Sequence, residues 1–249
     1  MDPELQRLLA DHGIAPTPDD AAGPGAASTA KRLLWLGTNE RHAPELLPFP
    51  LDEVRAVTDA IARQQAVVDR LVAEEAARAA EAEADGEGAA EFHRGAFLPF
   101  RAEHVYRLEI TRLTYLLSDL IRLRVRKIQK QAAYILAQPP EWQAERLSDN
   151  ERVLCAKLAE ITERAAQRGG LELLPEPFRR LVPNPALGEG AEVLPQPNLD
   201  EFVFVAALET VSVALPGVED EKELLPGEMW VCRYSTIRDH VIDGKMRLV

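Results

Sequence analysis

The clearest alternation of apolar and polar positions lies between residues 101 and 137. Its apolar residues recur at spacings of three and four, the period of one face of an α-helix. They are Tyr106, Ile110, Leu113, Leu117, Leu120, Ile121, Ile128, Ala132 and Ile135. A second ridge of Leu108, Leu116 and Leu123 widens the stripe, so we expect this helix to pack on more than one face. A pair of prolines then ends it.

Two further helices are predicted on either side of this one. The first begins after Asp52, a residue that can cap a helix, and carries an apolar stripe with gaps. The second begins at Ser148, which together with Glu151 has the spacing of a capping box, and ends at a pair of glycines. These helices predict a helical domain over 38–170. Within it, the Ala/Glu-rich run 74–91 is predicted to be an acidic loop.

The first 37 residues follow a different pattern. Leu5, Leu8 and Leu9 lie at i, i+3 and i+4, which predicts a short helix. Residues 15–30 have no large side chain and predict a flexible linker. We interpret 1–37 as a flexible N-terminal segment. Its short helix is either a frayed terminus or a recognition helix that docks in a partner's groove.

The period changes again after the helical domain. Residues 171–197 hold six prolines, and a Pro-rich linker is assigned to 171–193. Residues 194–249 contain β-branched and aromatic runs separated by Pro-Gly dipeptides, a pattern typical of short strands. The predicted strands are 201–209, 211–215, 228–234 and 247–249. The predicted fold class is therefore α+β, an N-terminal helical bundle followed by a small C-terminal β-rich domain.

This β-rich domain is small for an independent hydrophobic core. We expect it to pack either on its own helical bundle or on another protein. Together with a helix that carries a wide apolar stripe, it describes a subunit of an obligate complex, because such subunits bury large apolar surfaces against their partners.

Composition adds a charge asymmetry to this picture. The 249 residues include 29 basic and 41 acidic ones, a formal charge of −12, which argues against a protein that coats nucleic acid through its overall charge. Residues 92–185 nevertheless hold 16 basic and 11 acidic residues. The two cysteines form no CxxC and fit a reducing compartment. No apolar run is long enough to span a membrane, and no signal peptide is recognised.

The sequence lacks the common catalytic motifs. It has no P-loop, no dinucleotide-binding glycine motif, no zinc-hydrolase pair of histidines and no nucleophile elbow. Matches to SxxK at Ser28 and to SDN at Ser148 lack the KTG element of penicillin-recognising serine enzymes, and Ser148 is better explained as a helix cap. Cys155 is interpreted as a buried, inert thiol. We therefore expect no enzymatic activity, no cofactor and no metal.

One run of basic residues on the long helix contains no acidic residue. It consists of Arg122, Arg124, Arg126, Lys127 and Lys130. One hypothesis is a nucleic-acid-binding module over 122–130, although the run lacks the interleaved aromatic residues that stack on bases. The alternative is that these side chains lie at a subunit interface or pair with acids inside the bundle, since arginine binds carboxylates bidentately. We favour the alternative and expect no direct DNA contact.

Three blocks of sequence carry a resemblance to a known family. They are 39–47 (NERHAPELL), 108–128 (LEITRLTYLLSDLIRLRVRKI), and the C-terminal set 194–204, 233–237 and 247–249. In that order they resemble the Sld-five family of the GINS complex, a eukaryotic DNA-replication factor. The resemblance covers about 38–249 and omits the N-terminal segment and the acidic run.

The resemblance implies a helical A domain followed by a β-rich B domain. It implies a non-catalytic structural subunit of a heterotetramer formed with three sister GINS subunits. That tetramer would join the MCM helicase ring and a RecJ-like partner, in the nucleus, as the active replicative DNA helicase at replication forks. The resemblance implies no association with a membrane.

The family motifs also imply which residues serve assembly and folding. Matching positions in the long helix, at the start of the B domain and in its late strand are Arg122, Arg124, Lys127, Ile128, Leu199, Asp200, Phe202, Val203, Arg233 and Tyr234. In this family an N-terminal acidic-leucine peptide can bind a trimeric replisome hub. Residues of similar character here are Asp2, Leu5, Leu8 and Leu9.

Overall fold

The computed structural model describes residues 26–84, 101–175, 196–214 and 222–249. The α-helices of this part are α1 (Ala26–His42), α2 (Leu51–Ala84), α3 (Ala102–Ala137), α4 (Pro140–Arg146), α5 (Asp149–Arg168) and α6 (Tyr234–Ile242). The strands are β1 (Phe202–Ala207), β2 (Val211–Val213), β3 (Lys222–Leu224), β4 (Met229–Arg233) and β5 (Met246–Leu248), with β5 following α6. A predominantly helical N-terminal part followed by a small antiparallel β region confirms the α+β class.

The described residues fall into two compact units. One contains 26–33 together with the described part of 55–113. The other contains 34–54 together with the described part of 114–249. This second unit includes the whole of the described β region as well as the C-terminal part of α3. Of the two arrangements left open by the sequence, the β region therefore packs on helices of its own chain.

The helical part of the chain begins earlier than the predicted boundary at residue 38, with a helix, α1, that was not predicted. It starts at Ala26, so residues 26–37 of the predicted flexible segment are helical. Leu33 is fully buried and Trp35 is half-buried, and these large apolar side chains give the helix a face to pack. Residues 1–25, including the predicted short helix, lie outside the described residues.

Helix α2 extends further than predicted. It runs from Leu51 to Ala84, so the first part of the predicted acidic loop 74–91 is helical. That stretch is made of Ala, Glu and Arg, which are among the strongest helix formers, and helix propensity there outweighs the low hydrophobicity. Residues 85–91 lie outside the described residues.

The two best-marked helices form where the sequence places them. Helix α3 occupies nearly all of the predicted 101–137 and buries Leu120, Ile128 and Ile135. At α5 the capping box is present, because the Ser148 hydroxyl accepts from the Glu151 amide and the Glu151 carboxylate accepts from the Ser148 amide. The short helix α4 was not predicted. It begins at a proline, which is favoured in the first turn of a helix.

The β region contains a three-stranded antiparallel sheet in the order β4-β1-β5, and a separate hairpin of β2 and β3. In the sheet, Val205 of β1 pairs with Trp230 of β4 on one side and Leu248 of β5 on the other. The predicted strand 228–234 is wrong at its end, because Tyr234 begins a helix. Tyr234, Ile237 and Val241 share the buried face of α6, and this helical spacing outweighs the β-branched composition.

Two hydrophobic clusters meet at the segment that follows α1. Ala43 and Leu47 belong to a cluster made mainly of the inner faces of the strands and of α6. Leu46 belongs to a second cluster with residues of α3 and α5, including Ile128 and Cys155. This short segment therefore joins the β region to the helices. None of the described helices combines the length and apolarity needed to cross a membrane.

Candidate assembly site

The candidate site is a network of buried charges around residues 39–47. Glu40 lies in the last turns of α1, and Glu45 lies at a bend in the segment that follows. Both carboxylates are almost completely buried, as is Glu151 in the first turn of α5. A buried carboxylate is costly unless cations and N–H donors surround it, so the partners of these three groups define the site.

Arg124 on α3 is the centre of the network and is completely buried. Its Nε and Nη2 donate to the two oxygens of Glu151 at 2.8 and 3.0 Å, and its Nη1 donates to Glu40 at 3.0 Å. The second hydrogens of Nη1 and Nη2 go to the carbonyls of Leu47 at 2.9 Å and Arg146 at 2.7 Å. All five guanidinium N–H groups are therefore used.

Lys127, one turn further along α3, holds the other side of Glu40. Its Nζ donates to the Glu40 carboxylate at 2.8 Å and to the Glu45 carbonyl at 2.7 Å. Burial lowers the pKa of Lys127 below its ordinary value, and the neighbouring Glu40 raises it in part. The lysine thus fixes the backbone beyond α1 as well as a carboxylate.

Glu45 connects the helices to the β region. Its carboxylate forms an ion pair with Arg146 at 2.8 Å and accepts from Arg238 Nη2 at 2.8 Å. The Tyr234 hydroxyl donates to the same carboxylate at 3.0 Å. Burial raises the pKa of Tyr234, and the charge of Glu45 raises it further, so the phenol stays protonated and remains a donor.

A neutral hydrogen bond completes the connection. The Leu248 amide of β5 donates to Asn39 Oδ1 of α1 at 2.8 Å. The Asn39 side chain therefore satisfies a backbone donor that β1 does not reach, and it ties the last strand to the first described helix.

The arrangement favours holding elements together over chemical catalysis. Three carboxylates, those of Glu40, Glu45 and Glu151, are paired with cations inside the protein, so none of them is poised to accept a substrate proton. Among the described residues, no group of three or more His, Cys, Asp or Glu side chains is placed to hold a metal ion.

Both cysteines are buried and unbonded to each other. Burial raises the pKa of the Cys155 thiol to about 11, and burial also raises the pKa of the Cys232 thiol. A thiol with a raised pKa is mostly protonated near neutral pH, so neither group has the character of an activated nucleophile.

The structure separates the basic run of α3 into two sets. Arg124 and Lys127 point into the network, whereas Arg122, Arg126 and Lys130 are exposed. Ile128 is fully buried in the helical cluster. The positions carried over from the family's long-helix motif therefore have different surroundings, and Arg124 is enclosed by its own chain.

The positions predicted in the β region also differ in their surroundings. Val203 and Tyr234 are buried, and Leu199 packs against the same cluster. Phe202 is exposed beneath the Arg233 guanidinium, which lies 5.8 Å from the ring centroid. Asp200 lies beside them, 3.8 Å from Arg233, and accepts from the Ser235 hydroxyl. The predicted hub-binding residues Asp2, Leu5, Leu8 and Leu9 lie outside the described residues.

Five members of the network were not predicted as site residues from the sequence. These are Glu40, Glu45, Arg146, Glu151 and Arg238. A signal was present for the first two, because they lie inside the block NERHAPELL that carries the family resemblance. Glu151 was interpreted only as a helix cap, although its carboxylate serves both the cap and Arg124.

Comparison with known proteins gives a consistent result. A family model described as "DNA replication complex GINS protein SLD5 C-terminus" matches residues 197–249. The SLD5 protein of Eremothecium gossypii is 26% identical over 100% of both chains, and that of Schizosaccharomyces pombe is 28% identical over 85% of this chain and 87% of the relative. The match to SLD5 of Arabidopsis thaliana, at 27% identity, covers 58% of this chain and just under two thirds (66%) of the relative. The predicted resemblance is confirmed.

Proposed function

From the similarity of this chain to SLD5 proteins, we propose that it is a non-catalytic structural subunit of a GINS complex in DNA replication. The observation that carries the proposal is the similarity to an SLD5 protein over the full length of both chains. The buried network supports it, because its ion pairs connect α1, α3, α5 and α6 and engage its own three carboxylates, those of Glu40, Glu45 and Glu151.

The proposal extends to the assembly that such a complex enters. The chain joins three sister GINS subunits in a heterotetramer, and that tetramer joins the MCM ring and a RecJ-like partner to form the replicative helicase. The assembled helicase acts in the nucleus. Of the residues carried over from the family, those on the surface, such as Arg122, Phe202 and Arg233, are proposed as subunit contacts, and buried ones such as Arg124 as folding residues.

The direct test is reconstitution. The full chain is co-expressed with the three sister GINS subunits of the same organism, and the complex is purified through a tag on one sister. We expect a single species with one copy of each subunit, measured by light scattering and native mass spectrometry. A chain that stays monomeric and well behaved while the sisters assemble without it would contradict the proposal.

A second candidate function rests on the three cations that face away from the network. Arg122, Arg126 and Lys130 are exposed at intervals of four residues, and no ion pair to them is seen among the described residues. Such a row can follow a phosphate backbone. A variant with all three changed to Ala keeps Arg124 and thus the fold. If the row binds DNA, the slope of log affinity against log salt should fall by about three. Unchanged DNA affinity would end this hypothesis.

The N-terminal residues carry a separate proposal. Asp2, Leu5, Leu8 and Leu9 are proposed to bind a trimeric replisome hub through the apolar face of a short helix. In a peptide of residues 1–14, Leu5→Ala with Leu8→Ala should abolish binding to the hub in a fluorescence anisotropy titration, whereas Gln6→Ala should not. Equal affinity of both peptides would refute the proposal.

A further inference from the structure

The Ser235 hydroxyl differs from several threonine hydroxyls of the helices in what it contacts. The hydroxyls of Thr38, Thr111 and Thr162 each donate to the carbonyl four residues earlier in their own helix. Ser235, in the first turn of α6, is exposed and donates to Asp200 Oδ1 at 3.2 Å. Its side chain is therefore accessible from outside and lies against a charged group.

The Arg233 guanidinium approaches the same carboxylate. Its Nη1 lies 3.8 Å from Asp200 Oδ1, the atom that accepts from Ser235. The guanidinium also lies over the Phe202 ring, 5.8 Å from the centroid. A separation of 3.8 Å is too long for a hydrogen bond, so the guanidinium can take a closer and stronger anionic partner. We call Ser235, Asp200 and Arg233 the Ser235 cluster.

The same arginine precedes the serine by two positions in the chain. Protein kinases distinguish their substrates by the charged residues near the hydroxyl, and the arginine-directed class of serine/threonine kinases requires arginine on the N-terminal side. Tyr234, between the two residues, is buried, and its hydroxyl is bound to Glu45. Thr236 is half-buried. Ser235 is thus the hydroxyl in 234–236 that a kinase can reach.

We propose that Ser235 is a phosphorylation site, and that its phosphate draws Arg233 away from Asp200 and Phe202. The donor is ATP, and the enzyme is an arginine-directed serine/threonine kinase. In the transfer, Ser235 Oγ forms a bond to the γ-phosphorus of ATP, and the bond between that phosphorus and the ADP oxygen breaks. The hydroxyl proton passes to a base of the kinase.

Phosphorylation reverses the interaction between Ser235 and Asp200. The phosphoester oxygen has no hydrogen to donate, and the phosphate places a charge of about −1.5 to −2 beside the carboxylate at neutral pH. The Ser235 amide already donates to the Leu199 carbonyl at 2.8 Å, so the Arg233 guanidinium supplies the donors for the phosphate. A guanidinium binds phosphate oxygens bidentately. The phosphate therefore attracts Arg233 and repels Asp200.

Asp200 belongs to the turn through which the chain enters β1. The Asp200 amide donates to Asn198 Oδ1 at 3.2 Å, and Leu199 packs against the hydrophobic cluster of the β region. The Tyr234 amide donates to the Glu201 carbonyl at 2.9 Å, which holds this turn to the start of α6. Repulsion of Asp200 by the phosphate therefore loosens the turn 198–201 at the start of the β region.

The first experiment tests whether the folded chain is modified at this residue. The full chain is incubated with ATP and the catalytic subunit of the cAMP-dependent protein kinase, an arginine-directed enzyme, and tandem mass spectrometry locates the phosphate. We expect phosphate on Ser235 and none at this position in Ser235→Ala. Arg233→Gln should lower the rate of modification at least about tenfold. The control Arg122→Gln, at another exposed arginine, should leave the rate unchanged.

A synthetic peptide of residues 229–241 separates the effect of the sequence from that of the fold. Modification of the peptide without modification of the folded chain would show that Ser235 is inaccessible and would overturn the inference, as would modification of neither. In protein isolated from its own cells with phosphatase inhibitors, we expect the phosphorylated form of this peptide. Its absence from both dividing and arrested cells, with the unmodified peptide detected, would refute the site.

The second experiment tests the capture of the phosphate by Arg233. A Ser235→phosphoserine chain is produced by genetic encoding, and ³¹P NMR follows the titration of its phosphate. A nearby cation stabilises the dianion, so the phosphate should lose its second proton at a pH at least about 0.5 lower than in the same chain with Arg233→Gln. In a Ser212→phosphoserine control, on exposed Ser212 of β2, Arg233→Gln should cause no shift. No shift at position 235 would refute the capture.

The third experiment measures the turn that precedes β1. Amide hydrogen exchange in 198–201 and at Tyr234 should be at least about fivefold faster in the Ser235→phosphoserine chain than in wild type. Exchange in β5 should stay the same, and the Ser212→phosphoserine control should match wild type in both regions. Unchanged exchange in 198–201 would show that the phosphate does not release the turn, and equal acceleration in β5 would show general destabilisation. Either result would overturn the proposed effect on the turn.

Discussion

Every N–H group of the Arg124 guanidinium donates to an acceptor of the same chain. Its five N–H groups bind two carboxylates and two carbonyls, and its planar fork matches the Glu151 carboxylate in a way that lysine does not. The guanidinium also lies 5.1 Å from the centroid of the Phe49 ring. Removing a single partner from such a network leaves the others charged and buried, which is the costly case.

Replacing Arg124 with Ala should therefore destabilise the protein severely. The expected loss is about 3–5 kcal/mol in the free energy of unfolding, because Glu151 is left buried without its cation and Glu40 keeps only Lys127. The control is Arg122→Ala on the exposed side of the same helix, which should change stability by about 0.5 kcal/mol or less. Urea denaturation of both variants measures the difference, and equal midpoints would contradict the role given to Arg124.

Cys155 should make stability decrease at alkaline pH. Burial raises its pKa from 9.0 to about 11 in the folded protein. The unfolded chain therefore releases this proton first, so the contribution is complete below pH 9 and is lost as the pH rises through 11. Cys155→Ala should lose less unfolding free energy between pH 8 and pH 10.5 than wild type, whereas Val153→Ala on the same helix should keep the wild-type slope. Identical slopes for all three proteins would rule out this contribution.

The position of Arg124 on its helix could be predicted from the sequence. Arg124 lies four residues before the apolar Ile128, and helical geometry places both on one face, which separates Arg124 from Arg122 and Arg126. The side chains that Arg124 binds could not be predicted. Glu40 lies 84 residues away and Glu151 lies 27 residues away along the chain. Helical periodicity carries no information about which acidic residue contacts which basic residue.

At the scale of elements, the clearest local prediction concerns the start of α5. Ser148→Ala removes the hydroxyl that accepts from the Glu151 amide and should cost about 1 kcal/mol. Ser212→Ala on β2 is the control, because that side chain is exposed. Thermal unfolding of the two variants makes the comparison. A cost for Ser148→Ala no larger than that of the control would show that Glu151 holds the helix start without the cap.

The elements that were predicted well are those in which local signals agree. Helix α3 has a long apolar period and a proline boundary, and α5 has a capping box and a glycine end. Helix α2 was predicted too short, since low hydrophobicity was given more weight than the helix propensity of Ala and Glu. Helix α6 was missed because Tyr234 follows a true strand directly, and only the buried spacing of Ile237 and Val241 distinguishes the two.

At the scale of the whole molecule, Glu45 is the main polar tie between the helices and the β region in the second compact unit. Glu45→Gln removes the charge that Arg146, Arg238 and Tyr234 share, while it keeps the size of the side chain. We expect faster amide hydrogen exchange in residues 234–248 than in wild type, with less change in 114–137. Glu160→Gln, at an exposed pair with Arg164, is the control. Uniform acceleration in both regions would show that Glu45 supports general stability rather than this junction.

The packing of the β region on its own helices could not be predicted from the sequence. The small size of that region indicated that it needed a partner, but two partners fitted the same observation. The choice depends on contacts between Glu45 and Arg238, 193 residues apart, and between Asn39 and Leu248, 209 residues apart. Such long-range pairs follow from the assembled fold and not from any local pattern.

These long-range contacts also constrain how the protein is made. The hydrogen bond between Glu45 and Tyr234 cannot form until Tyr234, 189 residues further along the chain, has been synthesised. At about 5–20 residues per second, a ribosome needs about 10–40 seconds to cover that distance. During this interval the acidic side chain and the neighbouring Leu47 have been synthesised without the helix that later covers them. We therefore expect a nascent chain of this protein to bind molecular chaperones, or partners that associate during translation, until its late residues leave the exit tunnel.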